Sequence, residues 1–151
     1  MNGVKKLFLK TAYPLLKAYW FLLRPKTIGV RCLITNGTQV LLIQHSYGSS
    51  HWSVPGGGVK SHESLDAAAK REVFEEVGIE VSRIKNVGYV FYNAEYKKDT
   101  IWIFHSEVMS TECKIDNVEI MNAQWFSMDD LPKNSSPLLQ QFLSLYHLKK
   151  L

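Results

Sequence analysis

Residues 71–80 read REVFEEVGIE and place Glu72, Glu75 and Glu76 within about one and a half turns of a helix. Wound at about 100° per residue, the three carboxylates fall in an arc of roughly 100°, with the small Ala68 between them. Leu65, Ala69, Val73 and Val77 form the neighbouring stripe, which suits a core. Like charges this close raise one another's pKa unless a cation sits among them. An all-oxygen donor set favours Mg2+ or Mn2+ over zinc, and Ala68 leaves space for an ion. The plain alternative is a solvated acidic face with Lys and Arg partners. The chain as a whole is basic, with 18 Lys+Arg against 14 Asp+Glu, so the patch runs against the overall balance.

The stretch before this helix changes the odds. WSVPGGGVKSHE sets Pro55 and three consecutive glycines just ahead of it. Glycine lets backbone approach a ligand closely, and a glycine-rich loop entering a helix N-terminus offers amides to an anion such as phosphate. Three glycines are more than a tight turn requires. An acidic metal face beside a backbone cradle is what a diphosphate–metal complex needs.

Other elements must hold that helix and loop. TIGVRCLIT and QVLLIQH are β-rich runs separated by NGT, which carries the Asn-Gly hairpin signal. SYGSSHWSVPGGGVKSHES reads as a long loop and LDAAAKREVFEEV as a helix stopped by Gly78. IEVSRIKNVGYVFYN and TIWIFHSEV read as strands joined by AEYKKD, NAQWFS as a short strand, and MDDLP as one turn. SPLLQQFLSLYHL reads as a closing helix, with Ser136 as N-cap and Pro137 at its first position. Hairpin strands flanked by helices give an α+β domain in α/β/α layers.

Composition bounds the rest. At 151 residues, 46% hydrophobic and 21% charged, the chain is one ordinary globular domain. Cys32 and Cys113 are its only cysteines, too few for a zinc cluster or a disulfide framework, and the expected compartment is the cytoplasm. The net charge of +4 favours anionic ligands, but no Lys/Arg run argues for a stable nucleic-acid partner. Residues 1–26 stand apart. VKKLFLKTAYPLLKAYWFLL reads as an amphipathic helix, bent or interrupted at Pro14, with lysines that break any membrane span. Its apolar side, with Leu7, Leu15, Tyr19 and Leu22, calls for cover by the domain, a second subunit in a homodimer, or a membrane surface. Packing on the domain or a subunit is the expectation, and membrane contact the alternative.

Gly57, five residues, Glu63, seven residues and then REVFEEVGI resemble the full signature of the Nudix hydrolases, nine fixed positions over 23 residues. VPGGG, the hairpin before it and WFSMDDLP are similar to the family too, so the likeness covers roughly residues 27–132. The resemblance implies a mixed-sheet α/β/α sandwich over residues 27–151. It also implies hydrolysis, with Mg2+ or Mn2+, of a nucleoside diphosphate linked to another moiety, such as a nucleoside triphosphate or a dinucleoside polyphosphate. It makes Glu72, Glu75 and Glu76 the metal ligands, with the Gly57 carbonyl a possible fourth, and has Arg71 orient them. Glu63 is then a supporting residue or part of the preceding loop, and the general base is Glu119 or Glu76. Tyr47, His51, Trp52, Tyr92 and Tyr96 are candidates to stack on a base, each with core or rim packing as its alternative. A Tyr at the spacing of Tyr96 resembles enzymes that cut dinucleoside polyphosphates. The proline typical of ADP-ribose enzymes is missing between Ile79 and Leu131, as is the long pyridine-dinucleotide motif. The competing readings are a nucleotide-sensing module without turnover and a membrane-peripheral protein worked by its first helix.

Overall fold

The structure, a computed structural model, describes residues 2–23, 25–48, 50–93, 98–115 and 118–150, with side chains in the first helix at residues 12 and 14–23. Its elements run α1 (Asn2–Leu23), β1 (Lys26–Asn36), β2 (Gln39–His45), α2 (Leu65–Val77), β3 (Lys85–Tyr92), β4 (Lys98–Glu107), β5 (Ile120–Ser127) and α3 (Leu139–Lys150). One sheet has the order β3-β4-β1-β2-β5. β1 and β4 are parallel and the other neighbours antiparallel, so the sheet is mixed.

Alternation along β1 divides the core. Val30, Cys32 and Ile34 face α2, where Ala68, Ala69, Val73 and Val77 meet them. Leu33 faces the other way, among Leu139, Phe142, Leu143 and Tyr146 of α3. The VLLI run of β2 is buried on both faces, as a strand between two helical layers must be. Each such aliphatic side chain contributes about 1.5–3 kcal/mol by leaving water. The result is the α/β/α sandwich. Cys32 and Cys113 are both free, and burial pushes the Cys32 thiol well above its ordinary range.

β1 and β2 pair beside their turn, Thr35 opposite Val40 and Asn36 opposite Gln39. Farther on they part, and the segment around 53–59 enters between them. Cys32 N–H donates to Pro55 O (2.8 Å), Val30 N–H to Gly57 O (2.9 Å) and Val59 N–H to Ile28 O (3.3 Å). On the other side Ser53 and Ile43 exchange both backbone bonds. What reads in sequence as a plain loop is therefore partly sheet, because backbone groups this deep need partners.

Other boundaries also moved. α2 matches the expected LDAAAKREVFEEV, capped by the Ser64 side chain and closed by Gly78 at φ 68°. The run 79–93 is strand only over Lys85–Tyr92, because Ile79 and Val81 turn under α2 into the core. α3 starts at Leu139 rather than at Pro137. Ser136 first closes a turn, its carbonyl accepting the Leu139 N–H and its hydroxyl the Leu138 N–H. α1 runs through Pro14 as one helix. The proline removes one main-chain bond, which the turns on either side outweigh. Of the expected cover by the domain or a second subunit, the domain does not supply it for Leu15, Tyr19 and Leu22, which are 75%, 52% and 77% exposed in the single chain, and the Leu7 side chain lies outside the described residues.

Gly56 is the tightest point of the wedge. Its φ is 146°, and an added Cβ would lie 2.1 Å from Val30 O. A Cβ on Gly58 would meet nothing within 4 Å. Gly56→Ala is expected to cost about 2 kcal/mol or more, visible as a fall of about 5 °C or more in melting temperature. Gly58→Ala is expected to stay within about 2 °C of the parent. Equal melting of both variants would show that the wedge is not a close-packed constraint.

Candidate active site

Arg71, on α2, organises the acidic patch. Its guanidinium is planar with five N–H donors, and all five are used. Nε donates to Glu63 Oε1 (2.7 Å) and Nη2 to Glu63 Oε2 (2.9 Å), a two-pronged pair. Nη1 donates to Glu72 Oε1 (2.7 Å) and Glu75 Oε2 (3.0 Å), and Nη2 also to Gly58 O (3.0 Å). These carboxylates raise the Arg71 pKa above its already high ordinary value, so it stays charged. Glu63 lies in the loop before the helix. The Arg71 bonds, then the Lys60 N–H (2.9 Å), hold its carboxyl down at about 2.

Glu76 is different. It is 5% exposed, and its Oε2 accepts the Gly56 N–H at 2.8 Å, which ties α2 to the wedge. Burial pushes its pKa up to about 8, against the opposing pull of Arg31 and the Gly56 bond, with Glu72 and Glu119 adding repulsion. His45 Nε2 lies 3.9 Å from Glu76 Oε1. Burial and Arg31 lower His45 to about 4, so it is neutral near neutral pH and this is a polar contact rather than an ion pair. Tyr47 is raised to about 12, first by burial and then by the charges of Glu119, Glu76 and Glu72, which line the same cavity. Glu119 is held at the end of β2, where Ser46 N–H donates to Glu119 O (2.8 Å) and Ser46 Oγ to Val118 O (2.6 Å).

A cavity of about 620 Å³ opens over this patch. Gly57, Glu72, Glu76 and Glu119 line it, with Tyr47, His51 and Tyr92 from the sequence candidates. Trp52 does not. It packs against Phe126 at 4.9 Å in the α3-side core, because strand alternation turns it away from Ser53, which does line the cavity. Glu75 and Glu63 do not line it either. Glu75 is half exposed between Arg71 and Lys60 Nζ (3.7 Å). Tyr96 lies outside the described residues. Ala68 belongs to the core and makes no recess for an ion. Space beside Glu72 comes instead from Gly57, where a Cβ would sit 2.6 Å from the Glu72 carboxylate.

Sequence reasoning missed Arg31, His45, Thr27, Asp99 and Trp20, which also line the cavity. Arg31 had a signal, as a cation inside an otherwise apolar strand. Trp20 had none, since nothing in α1 fixes where the helix lands. Among the described residues, no three His, Cys, Asp or Glu are gathered closely enough to grip a metal as they stand. The donors nevertheless suit a hard cation. Glu72, Glu76 and Glu119 offer oxygens to one cavity, and the Gly57 carbonyl accepts the Val30 N–H with a lone pair to spare. Carboxylates outnumber cations here, Glu63, Glu72, Glu75, Glu76 and Glu119 against Arg31, Lys60 and Arg71, and a divalent ion would favour the ionised form of Glu76 that burial disfavours.

With this geometry in view, known proteins give a consistent comparison. The family model of the NUDIX domain matches residues 25–146. NAD-capped RNA hydrolase NudC from Pseudomonas aeruginosa is 37% identical over 101 residues, 66% of this chain. The chain spans 36% of that relative's length. A MutT protein from Methanosarcina mazei Go1 superposes with a TM-score of 0.76 at 26% identity, covering 85% of this chain and 97% of the other. The NUDIX domain of Shewanella oneidensis NrtR, solved with ADP ribose, gives 0.73 at 17% identity over 83% and 89%, a likeness of fold.

Glu63 supplies a pH prediction. Its folded pKa is depressed to about 2 from an ordinary value of 4.5. Its stabilising pairing is therefore complete above 4.5 and fades as pH falls toward 2. The melting gap between the parent and Glu63→Gln is expected to be widest at neutral pH and to close across that window. A gap constant from pH 7 to 2.5 would contradict the pairing with Arg71.

Proposed function

The chain belongs to the NUDIX domain family, and from that premise we propose that it hydrolyses the P–O–P link of a nucleoside diphosphate joined to another group, using Mg2+ with Mn2+ as a substitute. The observation that carries this reading is the cavity itself. Carboxylates from α2 and from just before β5 line it together with Arg31 and the glycine wedge, a set of groups that fits phosphates together with a cation.

Glu72, Glu76 and the Gly57 carbonyl would hold the cation, with Glu119 facing them. Glu75 would have to exchange Arg71 and Lys60 to join. A divalent ion there supplies positive charge to the phosphate oxygens and lowers the pKa of a water. Arg71 keeps Glu72 from drifting, since its five bonds are shared among a loop residue, two helix residues and a carbonyl. Arg31 places a second positive charge toward the phosphate chain. Glu76 is enclosed and bonded to Gly56. We therefore assign the base to Glu119, which can take a proton from the attacking water and return it to solvent.

The substrates named for the relatives, NAD-capped RNA for NudC and ADP ribose for NrtR, both contain a diphosphate link to a nucleoside. They belong in the test panel.

Glu76→Gln keeps an acceptor for the Gly56 N–H and removes the charge. It is expected to fold and to lose at least about a thousandfold in turnover with Mg2+. Mg2+ at about a hundred times its Kd should stabilise the parent by about 2.7 kcal/mol, and the variant by less. Both effects are read from a nucleotide panel with chromatographic products and from melting curves. Full turnover by Glu76→Gln would refute the metal role. Nucleotide binding without turnover in the parent would favour a sensing module instead.

A further inference from the structure

The cavity has a second end, away from the glutamates. Thr27 on β1 pairs in register with Asp99 on β4, and Asp99 in turn pairs with Tyr92 on β3. Register partners in a sheet point to the same face, about 4.8 Å from strand to strand. Thr27, Asp99 and Tyr92 thus form one row across three strands, and all three line the cavity. Ile101, two residues along β4 from Asp99, and Phe142 of α3 give the apolar floor, and Trp20 comes over from α1. Thr27 Oγ1 is buried and, among the described residues, has no hydrogen-bond partner. A buried hydroxyl left so is unfavourable, and a ligand atom that bonds to it would remove that cost.

The row restricts what that ligand can be. A carboxylate only accepts hydrogen bonds, whereas a hydroxyl accepts or donates. The edge meeting Asp99 must therefore present N–H groups. Two aromatic side chains and an apolar floor suit a flat ring, and the volume suits a nucleotide-sized molecule with its phosphates at the glutamate end. We propose that Thr27 and Asp99 read the amino-bearing edge of a nucleobase while Trp20, from the helix outside the sandwich, covers its ring. This rests on the diphosphate-nucleotide reading above. It makes α1 part of the specificity site, against the sequence expectation that the helix is a docking element alone.

The test is calorimetric binding to the full-length protein with Mg2+, using probe pairs that differ by one amino group. GDP is compared with IDP, and ADP with purine riboside diphosphate. In at least one pair the amino-bearing member is expected to bind the parent about tenfold tighter or more. Thr27→Val and Asp99→Asn are each expected to bring that ratio below about threefold, without changing the Mg2+-induced shift in melting temperature. Thr27→Ser, which restores the hydroxyl, should retain the ratio and guards against a mere folding defect. Trp20→Ala should weaken both members alike, by about fivefold or more. Ratios near one in the parent, or ratios that survive both Thr27→Val and Asp99→Asn, overturn the proposal. If the parent hydrolyses nucleotides while these ratios stay flat, only the base subsite fails. If it hydrolyses none, the catalytic reading fails, and the binding ratios still judge the subsite because binding needs no turnover.

Discussion

One guanidinium sets the terms for the site. Like charges gathered this closely repel, so Glu63, Glu72 and Glu75 would separate if left alone. Arg71 turns that repulsion into order because its fork reaches three carboxylates and a carbonyl in one plane. A lysine, a point charge on a flexible stem, could balance the charge without fixing the geometry. Everything nearer the cavity depends on this arrangement. Glu72 faces Gly57 at close range, and Glu63 locks the loop to the helix that follows it.

The second constraint is backbone. The wedge occupies the opening between β1 and β2, with bonds to both strands and one to Glu76. Helix and loop are therefore not independent. Moving the wedge would strip a buried carboxylate of its N–H donor, and moving α2 would uncover a buried amide. Such doubly satisfied contacts are costly to break one at a time, which makes the site rigid before any ligand arrives. The two core layers supply the frame, since α2 and α3 cannot shift without exposing aliphatic surface on either face of the sheet.

Much of this was legible in the chain because the signals are local. α2 could be read from its glutamate and alanine spacing, its serine cap and its closing glycine, and the sheet from alternation and the Asn36-Gly37 turn. The glycine run announced a close approach, which Gly56 makes against Val30. What could not be read was long-range. Trp52 and Tyr92 are both aromatics near the box and both pack on the α3-side core, yet only Tyr92 also lines the cavity, a difference set by where each sits in the sheet rather than by residue type. Ala68 looked like room for an ion and is core, because the wheel alone does not say which flank of the stripe the sheet covers. The Thr27–Asp99–Tyr92 row depends on a register among β1, β4 and β3 that no local pattern encodes. Trp20 depends on where α1 lies, which its own amphipathic pattern leaves open.

The central claim is that these carboxylates hold a cation that drives attack of water on phosphorus. The most direct measurement is hydrolysis of a diphosphate-linked nucleotide in heavy-oxygen water, with products weighed by mass spectrometry in the presence and absence of Mg2+. The account predicts one heavy oxygen in a single phosphate-bearing product, and no reaction once the metal is chelated. Label in a sugar hydroxyl, or the same labelled product without any divalent ion, would contradict it.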